Sequence, residues 1–327
     1  MPVKIKNVRL EVMQTMEKSM DEILEKYLKP IEKNWQPADL MPDSSDPNFM
    51  DEVKEIQALC MDMEYDLFTV LIGDTITEEA LPTYESWLMD VEGVDNVEKN
   101  GWSQWVRSWT AEENRHGDLL NSYLYLSGRV DMKEMQITTQ YLISDGFDIG
   151  TDRDPYRNFI YTSFQELATN ISHRRVASGA KKTGNKRLAK ICGVIAADEL
   201  RHANAYISFV QKILELDPSE LMLAFEDMMR KKIVMPAHLM RSPGQEKGEL
   251  WDHFSDSAQR CEVYTTQDYI DILTSLLETW NIGNLTGLTD EADKARSYVM
   301  RLPDRLAKIA SRVKIPEQQY PFRWVKR

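Results

Sequence analysis

The sequence predicts an all-α protein, with a bundle of long helices at its centre and additional helices around it. Three observations predict this. Glycine and proline are sparse, 14 and 13 among 327 residues. The long stretches between them place apolar residues at three- and four-residue steps, the period of a buried helix face. Alternating apolar and polar runs, the mark of a half-buried strand, are hard to find. No shift in composition marks an internal boundary, so residues 1–327 are expected to form a single domain.

Residues 7–33 keep the helical period and are expected to form one helix. The segment WQPADLMPDSSDPNF (35–49) carries three prolines among Asp and Ser turn formers, so a loop is expected over 36–49. Helices are then expected over about 50–90, 102–127, 131–143, 155–180, 184–214 and 218–232. Residues 236–256 (PAHLMRSPGQEKGELWDHFSD) read as an irregular connection. Two or three further helices are expected between about 257 and 313, before a proline-bearing tail over 314–327, KIPEQQYPFRWVKR.

Lys and Arg total 40 against 53 Asp and Glu, a net charge of −13. That balance argues against a general binder of nucleic acid or of anionic membranes, and any acidic partner must find a local basic patch. Cys60, Cys192 and Cys261 lie far apart with no Cys-x-x-Cys pair, which argues against a disulfide scaffold or a thiolate zinc site and for a reducing compartment. No stretch approaches 18 consecutive apolar residues and MPVKIKNVRL has no apolar signal core, so no membrane span or export is expected.

Two short segments are alike: Glu112-Glu113-Asn114-Arg115-His116-Gly117 and Asp198-Glu199-Leu200-Arg201-His202-Ala203. On a helix, residues i and i+3 share a face, so Glu113 with His116, and Glu199 with His202, each aim a carboxylate and an imidazole at one point. A coincidental pairing is weakened by position. The apolar stripe Trp102, Trp105, Trp109 runs through Glu113 and His116 to Leu120 and Tyr123; Leu188, Ile191 or Cys192, and Ile195 lead likewise through Glu199 and His202 to Tyr206 and Phe209. A carboxylate inside an apolar stripe is costly unless it is paired or binds a metal.

A dinuclear carboxylate site in a four-helix bundle needs one further Glu from each of two more helices. Glu78 lies 35 residues before Glu113 and Glu166 lies 33 before Glu199, about one helix and a return connection each time. Glu79 competes with Glu78, but the stripe Leu67, Leu71, Asp74, Glu78, Leu81 favours Glu78. Four carboxylates and two imidazoles suit iron or manganese rather than copper(I) or structural zinc.

The runs GDTITEEALPTYE (73–85), WTAEENRHGDLLNSYLYLSGRVDM (109–132), FIYTSFQELATNISH (159–173), AADELRHA (196–203) and AFEDMMRKKIVMPAHLM (224–240) resemble the soluble acyl-acyl carrier protein desaturases, with the similarity extending from Trp35 to PFRW (321–324). The resemblance implies a ferritin-like homodimer with two iron ions per subunit. It implies removal of two hydrogens from a saturated acyl chain on acyl carrier protein, with oxygen and reduced ferredoxin consumed. Its ligand positions fall on Glu78, Glu113, His116, Glu166, Glu199 and His202, the six residues that spacing selects. It also places Thr169 near the iron for oxygen handling and proton delivery, and Trp35, His116 and Asp198 on an electron path from the surface. Arg115 and Arg201 are expected to orient ligands through carboxylates such as Asp198.

The reacting acyl chain calls for a narrow apolar channel beside the metals. Acyl carrier protein is acidic, and the block Arg174, Arg175, Lys181, Lys182, Lys186, Arg187 and Lys190, free of Asp and Glu, is the docking candidate, with Arg230, Lys231 and Lys232 a second cluster. Two departures from the family stand out: the connection DVEGVDNVEKNG (90–101) is a few residues shorter than in the plant enzymes, and Trp87 is bulkier than usual. With no transit peptide ahead of the similarity, a bacterial cytoplasmic enzyme, or a trimmed plastid stromal one, is expected. The alternatives are another ferritin-like di-iron oxidase, which would need a radical-forming tyrosine beside the metals, or an iron-handling protein assembling into a cage.

Overall fold

The structure is a computed structural model that describes residues 7–94 and 100–326, Trp87 by its backbone only. It bears out the all-helical reading. Among the described residues there are fourteen α-helices: α1 Asn7–Glu17, α2 Met20–Tyr27, α3 Phe49–Met61, α4 Tyr65–Glu79, α5 Leu81–Met89, α6 Gly101–Leu126, α7 Met132–Asp145, α8 Pro155–Lys182, α9 Lys186–Leu216, α10 Pro218–Lys231, α11 Trp251–Arg260, α12 Thr266–Thr279, α13 Asp290–Met300 and α14 Leu302–Ala310. The sole β feature among them is an isolated bridge between Val130 and Val325.

The long helices start where the chain supplies a cap. Asn100 accepts from the Ser103 amide ahead of α6, Asp154 from the Tyr156 and Arg157 amides ahead of α8, and Asn185 from the Leu188 amide ahead of α9. Each cap satisfies amides that the first turn leaves without partners. Pro155, in the first turn of α8, loses nothing there because its missing N–H would have had no partner. The turn from α8 to α9 takes three residues, Thr183 to Asn185. Gly184 at φ +81° occupies a left-handed conformation that a side chain would strain. These two helices, with α4 and α6, form the central bundle, and one continuous buried apolar cluster runs from Val12 to Val325.

Three expected boundaries move. Residues 7–33 form two helices and a short 3-10 turn, Ile31–Lys33, because α2 ends ahead of Pro30, which bars helical geometry for the residue before it. Residues 50–90 form three helices. The break after α3 is held by Arg129, whose guanidinium donates to the carbonyls of Cys60 and Met63 at 2.6 and 2.7 Å; the break after α4 falls at Pro82, in the first turn of α5. The irregular connection is shorter than expected, since α11 begins at Trp251. The C-terminal tail is docked: the buried Trp324 donates its indole N–H to Thr138 Oγ1 at 2.9 Å, and its carbonyl accepts from the Asp131 amide.

Helix α4 comes close to α6 at one glycine. A Cβ on Gly117 would lie 3.2 Å from the backbone of Glu78 and Glu79, so the missing side chain is what lets Glu78 sit beside His116.

Candidate metal centre

Each helix of the bundle contributes to one buried cluster. Glu78 comes from the last turn of α4, Glu113 and His116 from α6, Glu166 from α8, and Glu199 and His202 from α9, and all six side chains are buried. They fall into two groups whose candidate ligand atoms lie within 4.8 Å of one another: Glu78, Glu113, His116 and Glu199, and Glu113, Glu166 and His202. Glu113 belongs to both. His116 Nδ1 stands 3.2 Å from Glu113 Oε2, 3.0 Å from Glu199 Oε1 and 3.9 Å from Glu78 Oε2; His202 Nδ1 stands 2.5 Å from Glu113 Oε1 and 3.7 Å from Glu166 Oε2.

The donor atoms fit metal ions. Glu113 Oε1, His116 Nδ1, Glu166 Oε2, Glu199 Oε1 and His202 Nδ1 are all buried without a hydrogen-bond partner, although buried polar atoms are ordinarily satisfied. Five such atoms converging from three helices, α6, α8 and α9, form a nest for cations, and carboxylate with imidazole is a donor set of iron and manganese. Without the cations the site divides its protons. Burial, reinforced by the charge of Glu199 and opposed by His173, pushes Glu78 up to about 7. Burial and the charges of Glu113 and Glu199 hold Glu166 well above the carboxylate range. Glu113 goes the other way: burial opposes its charge, but the imidazoles of His116 and His202 win. Cations entering here would therefore displace protons.

The far side of each imidazole meets a carboxylate from the opposite repeat. His202 Nε2 pairs with Glu112 Oε2 at 2.9 Å, and His116 Nε2 faces Asp198 Oδ2 at 3.7 Å, a charge contact longer than a hydrogen bond. Arg201 bridges Glu112 and Asp198, while Arg115 donates to Asp198 at 3.0 Å and to the Trp35 carbonyl at 2.6 Å. Burial opposes both acids, yet His202 and Arg201 bring Glu112 to about 2, and His116 and Arg201 hold Asp198 below the carboxylate range. Asp198 also accepts from Trp35 Nε1 and Lys29 Nζ, each at 3.0 Å, and Trp35 stacks on His116 with ring centroids 5.9 Å apart. Trp35 and His116 thus both face Asp198, and their rings stack.

The two single glutamates have different supports. Glu166 accepts from Trp109 Nε1 at 3.0 Å; Glu78 pairs with His173 Nε2 at 2.9 Å. Thr169 Oγ1 lies 2.5 Å from Glu199 Oε2 and 3.1 Å from the Glu166 carbonyl. Glu112 and His173 were not among the sequence candidates. The repeat itself carries the signal for Glu112, which occupies the place of Asp198, and His173 lies two helical turns beyond Glu166 on the same face of α8.

A cavity of about 250 Å³ opens beside the cluster, and Glu78, Glu113, Glu199, Asp74 and Thr169 form one wall of it. Val70, Phe164, Ala168, Ile233, Phe254 and Ala258 give it an apolar interior. This is a channel beside the carboxylates, as expected; the Trp87 side chain and residues 95–99 of the shortened connection lie outside the described residues. In the basic block, Arg175 is held by Asp268 and Arg187 by Glu52, while Arg174, Lys181, Lys182, Lys186 and Lys190 are exposed. The second cluster is largely neutralised, with Arg230 paired to Glu226 and Lys231 to Asp152 and Asp227.

Comparison with known proteins gives a consistent picture. A family model described as fatty acid desaturase matches residues 8–326. A stearoyl-[acyl-carrier-protein] 9-desaturase of Arabidopsis thaliana is 50% identical over 324 residues, 97% of this chain and 81% of that protein. Those of Spinacia oleracea and Ricinus communis are each 49% identical over 97% of this chain, covering 80% and 81% of their own lengths; all three are named chloroplastic. The X-ray structure of a Mycobacterium tuberculosis H37Rv protein assigned as an acyl-ACP desaturase shares the fold at a TM-score of 0.53 and 16% identity, over 88% of this chain and 99% of that one.

Proposed function

The chain belongs to the fatty acid desaturase family, and we infer that it is an acyl-acyl carrier protein desaturase, an oxidoreductase that introduces a cis double bond into a saturated acyl chain carried on that protein. The fold is the ferritin-like one, and the observation that carries the reading is the placement of two carboxylate-imidazole nests, sharing Glu113, on the wall of an apolar cavity.

Glu78, Glu113, His116 and Glu199 would hold one iron ion and Glu113, Glu166 and His202 the other. An unactivated methylene has no acidic proton, so side-chain acid-base chemistry cannot start the reaction. Bound iron would supply, with oxygen, an oxidant strong enough to remove its hydrogen. The protein does the rest. The apolar walls hold the acyl chain against the carboxylate face and exclude water. Removing two hydrogens as two waters consumes one O2, two electrons and two protons. Thr169 keeps a hydroxyl proton between Glu199 and the cavity, where a proton is needed. The electrons would come from reduced ferredoxin and enter through Trp35, Asp198 and His116, on the imidazole side.

The exposed residues of the 174–190 block are the proposed docking face for the carrier protein, because opposite charge steers association. The chain is expected to work as a single-domain subunit of a homodimer, in a bacterial cytoplasm or a plastid stroma, where carrier thioesters and ferredoxin meet. Among the described residues no helix is long and apolar enough to cross a membrane.

The test is an assay of iron-loaded protein with reduced ferredoxin, oxygen and a series of saturated acyl carrier protein thioesters, followed by mass spectrometry of the released fatty acids. A monounsaturated product is expected. No product, together with oxidation of many irons per chain, would overturn the reading in favour of iron handling.

A further inference from the structure

Each imidazole of the candidate metal centre has a tryptophan against it, and the two tryptophans lead in different directions. Trp35, half-buried, stacks on His116. Trp109 meets His202 edge to face with ring centroids 6.4 Å apart, donates its indole N–H to Glu166, and opens a row of rings through the core. Tyr206 of α9 is edge-on to Trp109 at 6.4 Å and to Trp105 at 5.6 Å. Phe209 stands between Trp105 and Trp102, at 5.4 and 5.2 Å. From Trp109 to Trp102 the row climbs two turns of α6, about 10 Å at about 1.5 Å per residue. It ends beneath α1: Trp102 Nε1 donates to the Met13 carbonyl at 3.2 Å, and Val8, Glu11, Gln14 and Thr15 on the outer face of α1 are exposed. None of these rings lines the cavity.

Packing alone does not call for these residue types. The Trp105 N–H and the Tyr206 hydroxyl face each other, yet neither has a hydrogen bond of ordinary geometry. A buried polar atom left in that state costs stability that phenylalanine or leucine would not. What an indole offers in return is one-electron chemistry: it can give up an electron where phenylalanine and aliphatic side chains cannot.

Desaturation turns O2 into two waters with two electrons from ferredoxin and two, with two protons, from the acyl chain. With the cavity empty, the second pair has no source. We propose that Trp109, Trp105 and Trp102 form an electron supply that completes the reduction of oxygen when no acyl chain is bound, and so spares the metal ligands from oxidation. Trp109 gives one electron toward the His202 side, and its N–H proton stays shared with Glu166. Trp105 refills Trp109 across Tyr206, which keeps its own proton. Trp102 refills Trp105 across Phe209, and a soluble one-electron reductant such as ascorbate refills Trp102 through α1. A second passage, with two protons from water in the empty cavity, completes the two waters. The proposal rests on the desaturase reading given above.

The test uses full-length iron-loaded protein, reduced with dithionite, freed of excess reductant and exposed to oxygen without any acyl thioester. Freeze-quenched samples are read by electron paramagnetic resonance and the digested protein by mass spectrometry. A radical whose spectrum narrows when the tryptophans are indole-deuterated is expected, with oxygenated products on Trp102 that added ascorbate suppresses. Trp105→Phe should abolish the Trp102 products, leave oxidation at Trp109, and keep kcat on an acyl carrier thioester at the wild-type value. Circular dichroism and bound iron confirm that it is folded; should it fail to fold, Trp102→Phe takes its place, with oxidation stopping at Trp105. Trp102 products unchanged in Trp105→Phe, or oxygen consumed with no tryptophan oxidised in wild type, overturns the proposal while leaving the desaturase reading intact. Wild-type protein that makes no monounsaturated product from the thioester overturns that reading and the proposal with it.

Discussion

The crossed arrangement behind the imidazoles makes a prediction about two sites rather than one. Glu112 sits on the same repeat as Glu113 and His116, yet its carboxylate backs His202 at 2.9 Å; Asp198 sits beside Glu199 and backs His116 at 3.7 Å. Glu112→Gln keeps the shape and the acceptor oxygen but removes the charge that orients His202 and raises its basicity. Loss of such an outer partner generally costs tenfold to hundredfold in metal affinity, about 1.4–2.8 kcal/mol. The short contact and its buried setting put Glu112→Gln toward the upper end of that range. Asp198→Asn should fall at the lower end, because its imidazole contact is long and Lys29, Trp35, Arg115 and Arg201 already occupy the carboxylate. The two losses should also be selective. Glu112→Gln should weaken the ion held by Glu113, Glu166 and His202, and Asp198→Asn the ion held with His116. Anaerobic titration with ferrous iron, fitted to two sites, reads both affinities. Equal weakening of both sites by either variant, or no change in Glu112→Gln, would refute the crossed assignment.

Three further outcomes follow from the packing. Gly117→Ala places a Cβ 3.2 Å from the Glu78 and Glu79 backbone, so it should cost about 1–3 kcal/mol in urea unfolding and weaken iron binding at the Glu78 site; unchanged iron binding would show that α4 can shift without moving its ligand. Trp324→Ala should cost about 3–5 kcal/mol by the same measurement, since a fully buried indole and its bond to Thr138 are lost, whereas a cost under about 1 kcal/mol would mean that the tail does not share the core. Asp268 caps α12 through Thr265 and pairs with Arg175; burial opposes its charge, but these partners hold its carboxyl below the ordinary value. A depressed folded-state value stabilises above the unfolded value, about 3.9, and that stability is lost as pH falls through and below it. Asp268→Ala should therefore destabilise by about 2 kcal/mol at neutral pH, and by progressively less in acid, in urea titrations at both pH values.

The bundle was legible because α6, α8 and α9 are long enough for their apolar period and their caps to dominate. The six candidate ligands were legible because Glu-x-x-His occurs twice within apolar stripes. What escaped was tertiary. Nothing local announces that Arg129 will satisfy the end of α3, so periodicity runs α3 into α4. Pro30 and Pro82 did announce breaks, and strict use of proline's geometry would have placed them. Composition does not show that Trp324, in the proline-bearing tail, finds a hydrogen-bond acceptor across the fold in Thr138. Glu112 was overlooked because it adjoins a stronger candidate, although its alignment with Asp198 is plain in the repeat. His173 shares a face with Glu166, but the glutamate it pairs with comes from α4, 95 residues away in sequence.

The repeat is symmetric in sequence but not in surroundings, and the asymmetry bears on how the chemistry is arranged. Glu78, Glu113 and Glu199 reach the cavity wall, whereas Glu166 and both imidazoles do not. Glu166 is fixed by an indole N–H, a donor with no exchange role; Glu78 is backed by His173, which can give or take a proton. The imidazoles point the other way, toward Asp198, Glu112, Lys29 and Trp35 near the surface. Acyl chain and oxygen would then meet the carboxylate face while electrons arrive from behind, so the substrate filling the cavity need not block reduction. Separate faces also account for the carboxylates and imidazoles being sorted, since a ligand that opens to a substrate must tolerate movement, and a ligand that carries electrons inward is better held rigid by a network such as the one around Asp198.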